Sequence, residues 1–216
     1  MKRIYIVRHG QTFINHYNKM QGWCDTPLTD EGIKGAEMAG ETLKNVPFDI
    51  ALSSDLKRAS DTCELIMKHN CNRDILQHLA SPFFREQFYG YFEGMDTEMA
   101  WRMIGGPHGY DDRHELLRKE PIDTIKNWIK EADPYHEAEN AQEYWARLDK
   151  GFKLIKELDG AENILLVTHG FTIRSIADHF GENIDVSSGP RNASITMLLM
   201  DNKGQMKVTS YNKMQL

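Results

Sequence analysis

Several familiar chemistries are missing from this sequence. Only three of its 216 residues are cysteines, Cys24, Cys63 and Cys71, and no two form a C-x-x-C pair. An odd, scattered set gives no support for a disulfide framework or a zinc knuckle, and fits a reducing compartment. There is no H-E-x-x-H and no Gly-rich loop ending in G-K-[ST], so zinc hydrolysis and P-loop nucleotide binding have no support. Basic residues do not dominate: 26 Lys and Arg face 32 Asp and Glu, for a net charge of −6. That balance leaves no electrostatic footprint for nucleic acid and no polybasic segment for an anionic membrane. No apolar run is long enough for a membrane span, and the N-terminal one is too short for a signal peptide. A cytoplasmic location is expected. Repeats and low-complexity tracts are absent too.

Forty per cent of the residues are hydrophobic and 27% charged, the composition of a globular chain with a real core. The length suits one domain, residues 1–216. Lys2 to Val7 reads as a strand, and "PLTDEG" after it opens a helix with Thr29 as N-cap. Ile33, Ala36, Ala39 and Leu43 then share a helical face. Phe48 to Ser54 reads as a second strand. Ser54 is placed to cap a helix burying Leu56, Ala59, Cys63, Ile66 and Met67. Asp74 to Leu79 reads as a third strand. From about 96 to 142 the texture changes to polar loop and weakly amphipathic helix, broken by Pro121 and Pro134. This segment reads as an insertion, with Trp101 and Trp128 packing it onto the body. Tyr144 to Leu158 reads as an amphipathic helix and "NILLVTH" as a buried parallel strand. Ile173 to Phe180 reads as another helix. Ser194 to Met200 and Gln205 to Asn212 flank "DNKG" as a hairpin. The alternation predicts an α/β fold. A mostly parallel central sheet carries helices on both faces, with a helical insertion and a C-terminal antiparallel hairpin.

Two strands end alike, at Arg8-His9-Gly10 and at Thr168-His169-Gly170. Ligands of such sheets sit at the carboxyl ends of strands. If these strands are neighbours, both imidazoles reach one crevice. Arg8, and Arg58 in the first turn of its helix, add fixed cations suited to a dianion such as phosphate. A neutral imidazole offers a bare nitrogen as nucleophile. A carboxylic acid is then needed for the leaving oxygen, and Glu86 follows an apolar stretch that would raise its pKa. Glu93 is expected to be structural, bracing a helix start through backbone N–H groups. His78, His108, His114 and His136 are expected to stand apart from catalysis. Cys24 sits in a loop near the site and reads as a plain loop cysteine.

Five blocks, "VRHGQTxxN", "QGWCDTPLTxxG", "SSDLKRAxxT", "REQFYGYFEG" and "VTHG", resemble the histidine phosphatase superfamily, which includes the phosphoglycerate mutases, in their order along the chain. The resemblance covers about residues 1–94 and 143–200. It implies a phosphohistidine mechanism with no metal and no cofactor. By position His9 resembles the nucleophile, Arg8, Arg58 and His169 the phosphate pocket, and Glu86 the proton donor. Asn15, Gln21 and Gly22 fall where substrate-binding residues lie. Family mutases usually carry an arginine-rich segment followed by a proline cluster. "GGPHGYDDRHELLRKEP" lacks that pattern and puts acidic residues in the way. The expectation is therefore a phosphatase acting on a small phosphorylated metabolite or phosphoprotein. A phosphoglycerate mutase and a non-catalytic phospho-ligand module are the alternatives.

Overall fold

The computed structural model describes residues 1–215. The chain runs β1 (Lys2–Arg8), α1 (Phe13–His16), α2 (Asp30–Leu43), β2 (Ile50–Ser54), α3 (Lys57–His69) and β3 (His78–Ser81). Three helices follow, α4 (Thr97–Gly105), α5 (Arg113–Lys119) and α6 (Ile122–Ala132). The chain then returns through α7 (Ala141–Glu157), β4 (Asn163–Thr168) and α8 (Gly170–Phe180), and closes with β5 (Ile195–Met200) and β6 (Met206–Lys213). The six strands form one sheet in the order β3-β2-β4-β1-β5-β6. The first four are mutually parallel, and β5 and β6 run antiparallel as the terminal hairpin.

The central strands bury both faces. Ile4, Ile6, Leu52, Ile164 and Leu166 pack under Tyr144, Leu148, Phe152 and Ile155 of α7 and Ile173 and Ile176 of α8. On the other face Val7, Ala51, Leu165 and Val167 meet Ala39 and Leu43 of α2 and Ala59, Cys63 and Ile66 of α3. This is why "NILLVT" is apolar without alternation: every residue of β4 is buried. Truncating one such side chain, Leu166 for example, to Ala costs about 2–5 kcal/mol. Helices α4 to α6 build a third cluster around Ile104, Leu116, Ile125 and Ile129, which reaches the body at Phe171 of α8. Trp101 makes that junction, its ring centroid 6.4 Å from Phe171. Trp128 does not: it stacks on His108 at 3.7 Å, inside the segment.

Other expectations need local correction. Thr29 caps α2 by accepting Gly32 N–H, yet Ile33 is 38% exposed. The buried face of α2 instead runs through Gly32, Ala36, Ala39, Gly40 and Leu43. Ser54 accepts the N–H of Leu56, but Leu56 is the N-cap residue of α3 and that helix lacks a side-chain cap. The third strand begins at His78, not Asp74. Asn70 holds the preceding turn, donating to Leu43 and Val46 carbonyls and accepting Asn72 N–H, and this leaves Ile75 exposed. No described helix is long and apolar enough to cross a membrane.

Candidate active site

The register of β1 on β4 pairs Val7 with Val167 and Arg8 with Thr168. The next residue on each strand is a histidine. His9 N–H completes the ladder on Thr168 O at 2.9 Å, and the two rings sit 5.2 Å apart, centroid to centroid, at 59°. Both are buried. His9 Nδ1 lies 2.7 Å from Gly10 O. A carbonyl only accepts, so Nδ1 carries the proton and Nε2 keeps its lone pair. Gly10 has no room for a Cβ, because Gly32 of α2 presses its carbonyl against that position.

Arg58 is completely buried in the first turn of α3 and aims Nε at His9 Nε2, 3.3 Å away. Its other nitrogens are held at Gly22 O (2.6 Å), Cys24 O (2.9 Å) and Asp25 Oδ1 (3.0 Å). The loop that supplies these acceptors is fixed by Glu93, whose carboxylate accepts the N–H groups of Gly22, Trp23, Cys24 and Tyr89. Glu93 thus braces a loop rather than a helix start. Arg8 reaches Pro190 O through Nη1 at 2.7 Å, and its Nε has no hydrogen-bond partner among the described residues. Burial lowers the pKa of both imidazoles well below the ordinary value, and the neighbouring guanidiniums add to it. Neutral rings therefore face fixed cations.

Glu86 stands at the start of α8. Its Oε2 accepts Phe171 N–H at 2.8 Å, and its Oε1 accepts Thr172 N–H at 2.9 Å and Thr172 Oγ–H at 3.0 Å. These bonds and Arg58 favour the carboxylate, but burial outweighs them and raises the pKa. Backbone anchoring comes from Arg147 and Trp23, which both donate to Glu86 O at 3.0 Å. Arg147 is itself held at 2.7 Å by each oxygen of Glu139.

A cavity of about 370 Å³ opens over these groups. Arg8, His9, Glu86, Asn15 and Gln21 line it, whereas Arg58 and His169 lie behind its wall. Gln21 Oε1 accepts from Thr12 Oγ and Asn15 Nδ2, and its buried Nε2 has no acceptor among the described residues. Gly22 does not line the cavity. Its N–H serves Glu93, its carbonyl serves Arg58, and a Cβ there would strike Gln87 O. Cys24 is inert, because burial and then Glu93 push its thiol up to about 12.

Sequence reasoning missed part of the lining. Lys19, Arg113 and Arg174 bring further cations, and Glu86 is the single carboxylate among the described lining residues. The segment expected to present acid to the site does the reverse. Asp112 is used up capping α5, where it accepts His114 and Glu115 N–H, and Arg113 and His114 turn toward the cavity. His114 thus lines the cavity. Arg174 was detectable as a charge amid the apolar face of α8; Lys19 and Arg113 lie in stretches whose path carries no periodic signal.

The family model of the histidine phosphatase superfamily (branch 1) matches residues 4–213. The chain belongs to this superfamily. It is similar to the 2,3-bisphosphoglycerate-dependent phosphoglycerate mutase 2 of Gloeobacter violaceus, with 30% identity over 82% of this chain and 74% of that one. A phosphoglycerate mutase from Bacillus anthracis superposes with a TM-score of 0.91 at 31% identity, covering 99% of this chain and 93% of the other. The α-ribazole phosphatase of Shigella flexneri shares the fold, with a TM-score of 0.71 at 22% identity over 99% and 98%. This histidine phosphatase superfamily member is accordingly an enzyme of a group that holds both mutases and phosphatases.

Proposed function

We propose that the enzyme hydrolyses phosphate monoesters by way of a phosphohistidine at His9. The observation that carries this is the lone pair of His9 Nε2, set by the Gly10 carbonyl, at a cavity flanked by two guanidiniums and a buried carboxylic acid. Nε2 attacks phosphorus as the ester P–O bond breaks, and Glu86 gives its proton to the departing oxygen. Arg8, on the cavity wall, carries the charge on the equatorial oxygens with the Gln21 amide as a further donor, and Arg58 adds its fixed charge from behind His9. Gly10 O meanwhile steadies the positive ring through Nδ1–H. In the second step water attacks phosphorus, its proton passes to the Glu86 carboxylate, and the N–P bond breaks. Free phosphate leaves and both side chains return to their starting states.

A cavity of this size takes a small phosphorylated metabolite. Phosphoglycerate mutase is the second reading, favoured by the extra cations Lys19, Arg113 and Arg174 and by the named mutase relatives. A mutase must retain a bisphosphate against water. Here Arg113 is partly neutralised by Glu98 at 3.6 Å, and Lys19 sits on the exposed rim with its ammonium on Gly94 O. These features support hydrolysis. The deciding assay supplies 3-phosphoglycerate with catalytic 2,3-bisphosphoglycerate, alongside a panel of other monoesters. Phosphate release outpacing isomerisation is expected; isomerisation outpacing release would establish the mutase.

A further inference from the structure

One charged side chain is enclosed with no place in the chemistry above. Lys126, on α6, is fully buried. Among the described residues its ammonium makes one ion pair, with Asp123 Oδ1 at 3.0 Å. Otherwise it faces rings: Tyr144 at 4.7 Å, Phe171 at 5.2 Å and Trp145 at 5.5 Å to their centroids. Asp123 is shared, because it also accepts Trp145 Nε1–H at 2.9 Å. Enclosing an ammonium costs several kcal/mol of hydration, which one half-exposed carboxylate and three ring faces only partly offset. An apolar side chain of equal length would pack there without that cost.

The position of the cage gives the charge a use. Phe171, one of its walls, holds Glu86 Oε2 through its backbone N–H. Thr172, the next residue, holds Oε1. The ring of Phe171 also lines the substrate cavity, 6.4 Å from Trp101 and 6.3 Å from Tyr89. We propose that Lys126 is a positioning residue for Glu86: its enclosed ammonium fixes Phe171, whose backbone N–H holds Glu86 Oε2, and sets a buried positive charge behind that carboxylate. The inference rests on the role given to Glu86 above. That acid must release a proton in the first step and hold negative charge while water is activated in the second. A buried cation behind it favours the second state, against the desolvation that favours the first.

Other charges bear on the same pair. Arg58 from α3 and Arg8 from β1 face Glu86, as do the hydroxyls of Tyr89 and of Tyr144 on α7. Asp123 on α6 and Asp178 on α8 face Lys126. Arg147 of α7 covers the Tyr144 ring at 5.2 Å. Burial lowers Lys126 itself to about 8, so it stays charged through the acidic range in which Glu86 works.

Lys126→Met tests the proposal, because methionine fills an aromatic cage well and Asp123 remains hydrated. The falling limb of kcat/KM against pH is expected to move up by about one pH unit, with the rising limb unchanged. Near-ultraviolet circular dichroism verifies the fold, and Lys126→Leu replaces Lys126→Met if methionine leaves the packing loose. A folded variant whose falling limb stays in place would overturn the proposal, as would loss of fold in both variants, which marks a purely structural lysine. The Glu86→Gln profile separates the two claims. If the falling limb survives in Glu86→Gln, the role of Glu86 fails; if Glu86→Gln abolishes it and Lys126→Met leaves it unmoved, only the role of Lys126 fails.

Discussion

The rings of His9 and His169 stand 5.2 Å apart because Arg8 and Thr168 are direct partners across β1 and β4. Two copies of one strand ending, far apart in the chain, become a single site through the register of one parallel pair. A slip of one residue would turn one histidine away from the other.

Burying both imidazoles in neutral form ties stability to pH. Their folded pKa values lie below the unfolded value of 6.5, so the unfolded chain takes up protons first as pH falls. Their contribution is complete above about pH 6.5 and shrinks toward their folded pKa values. Glu86 acts in the opposite sense, since its raised folded pKa adds stability at low pH that is lost as pH rises through it. Comparing wild type with His9→Asn/His169→Asn by urea unfolding isolates the histidine part. The wild-type value should gain on the variant as pH rises and level off near pH 6.5. A constant difference across acidic pH would show that the rings titrate normally.

Turnover has its own pH signature. His9 must be neutral and Glu86 protonated together. With the first pKa lowered and the second raised, kcat/KM should rise, peak on the acidic side of neutrality and fall. Glu86→Gln should remove the falling limb and slow esters with poor leaving groups by about 10²–10⁴-fold. Nitrophenyl phosphate, whose leaving group needs little protonation, should suffer less. Equal losses on both substrates would place Glu86 outside proton transfer.

Arg58 depends on a loop that Glu93 holds with four backbone N–H groups. Glutamine can accept some of these but sets its own N–H groups against others. Glu93→Gln should cost about 1–3 kcal/mol of stability and lower kcat about 10-fold or more by releasing the acceptors that aim Arg58. Arg58→Lys should be more severe in kcat, because an ammonium lacks the planar fork. Thermal unfolding and steady-state kinetics measure both. Unchanged kcat in a destabilised Glu93→Gln would separate the loop from the chemistry.

Legibility in the sequence followed periodicity and burial. Buried strands such as β4 announce themselves as unbroken apolar runs, and both histidines could be placed from that alone. The N-cap at Thr29 was readable because capping is local. The edge strand β3 was not, since it pairs with β2 alone and its start is set by the Asn70 turn. Ile33 looked buried by spacing, yet the glycines Gly32 and Gly40 take the tight side of α2. The rim cations Lys19 and Arg113 reach the cavity through loop paths and the tertiary packing of α5, which no local pattern encodes. The acids beside Arg113 misled for the same reason: Asp112 spends its oxygen on a helix start.

The central claim is a covalent bond between phosphorus and one nitrogen. Enzyme mixed with a ³²P-labelled monoester and quenched in alkali within milliseconds should carry label that survives base and is lost in acid. The label should be absent from His9→Ala and should persist longer in Glu86→Gln when a nitrophenyl ester supplies it. Label of equal amount on His9→Ala, or wild-type turnover with no label at any quench time, would contradict the account.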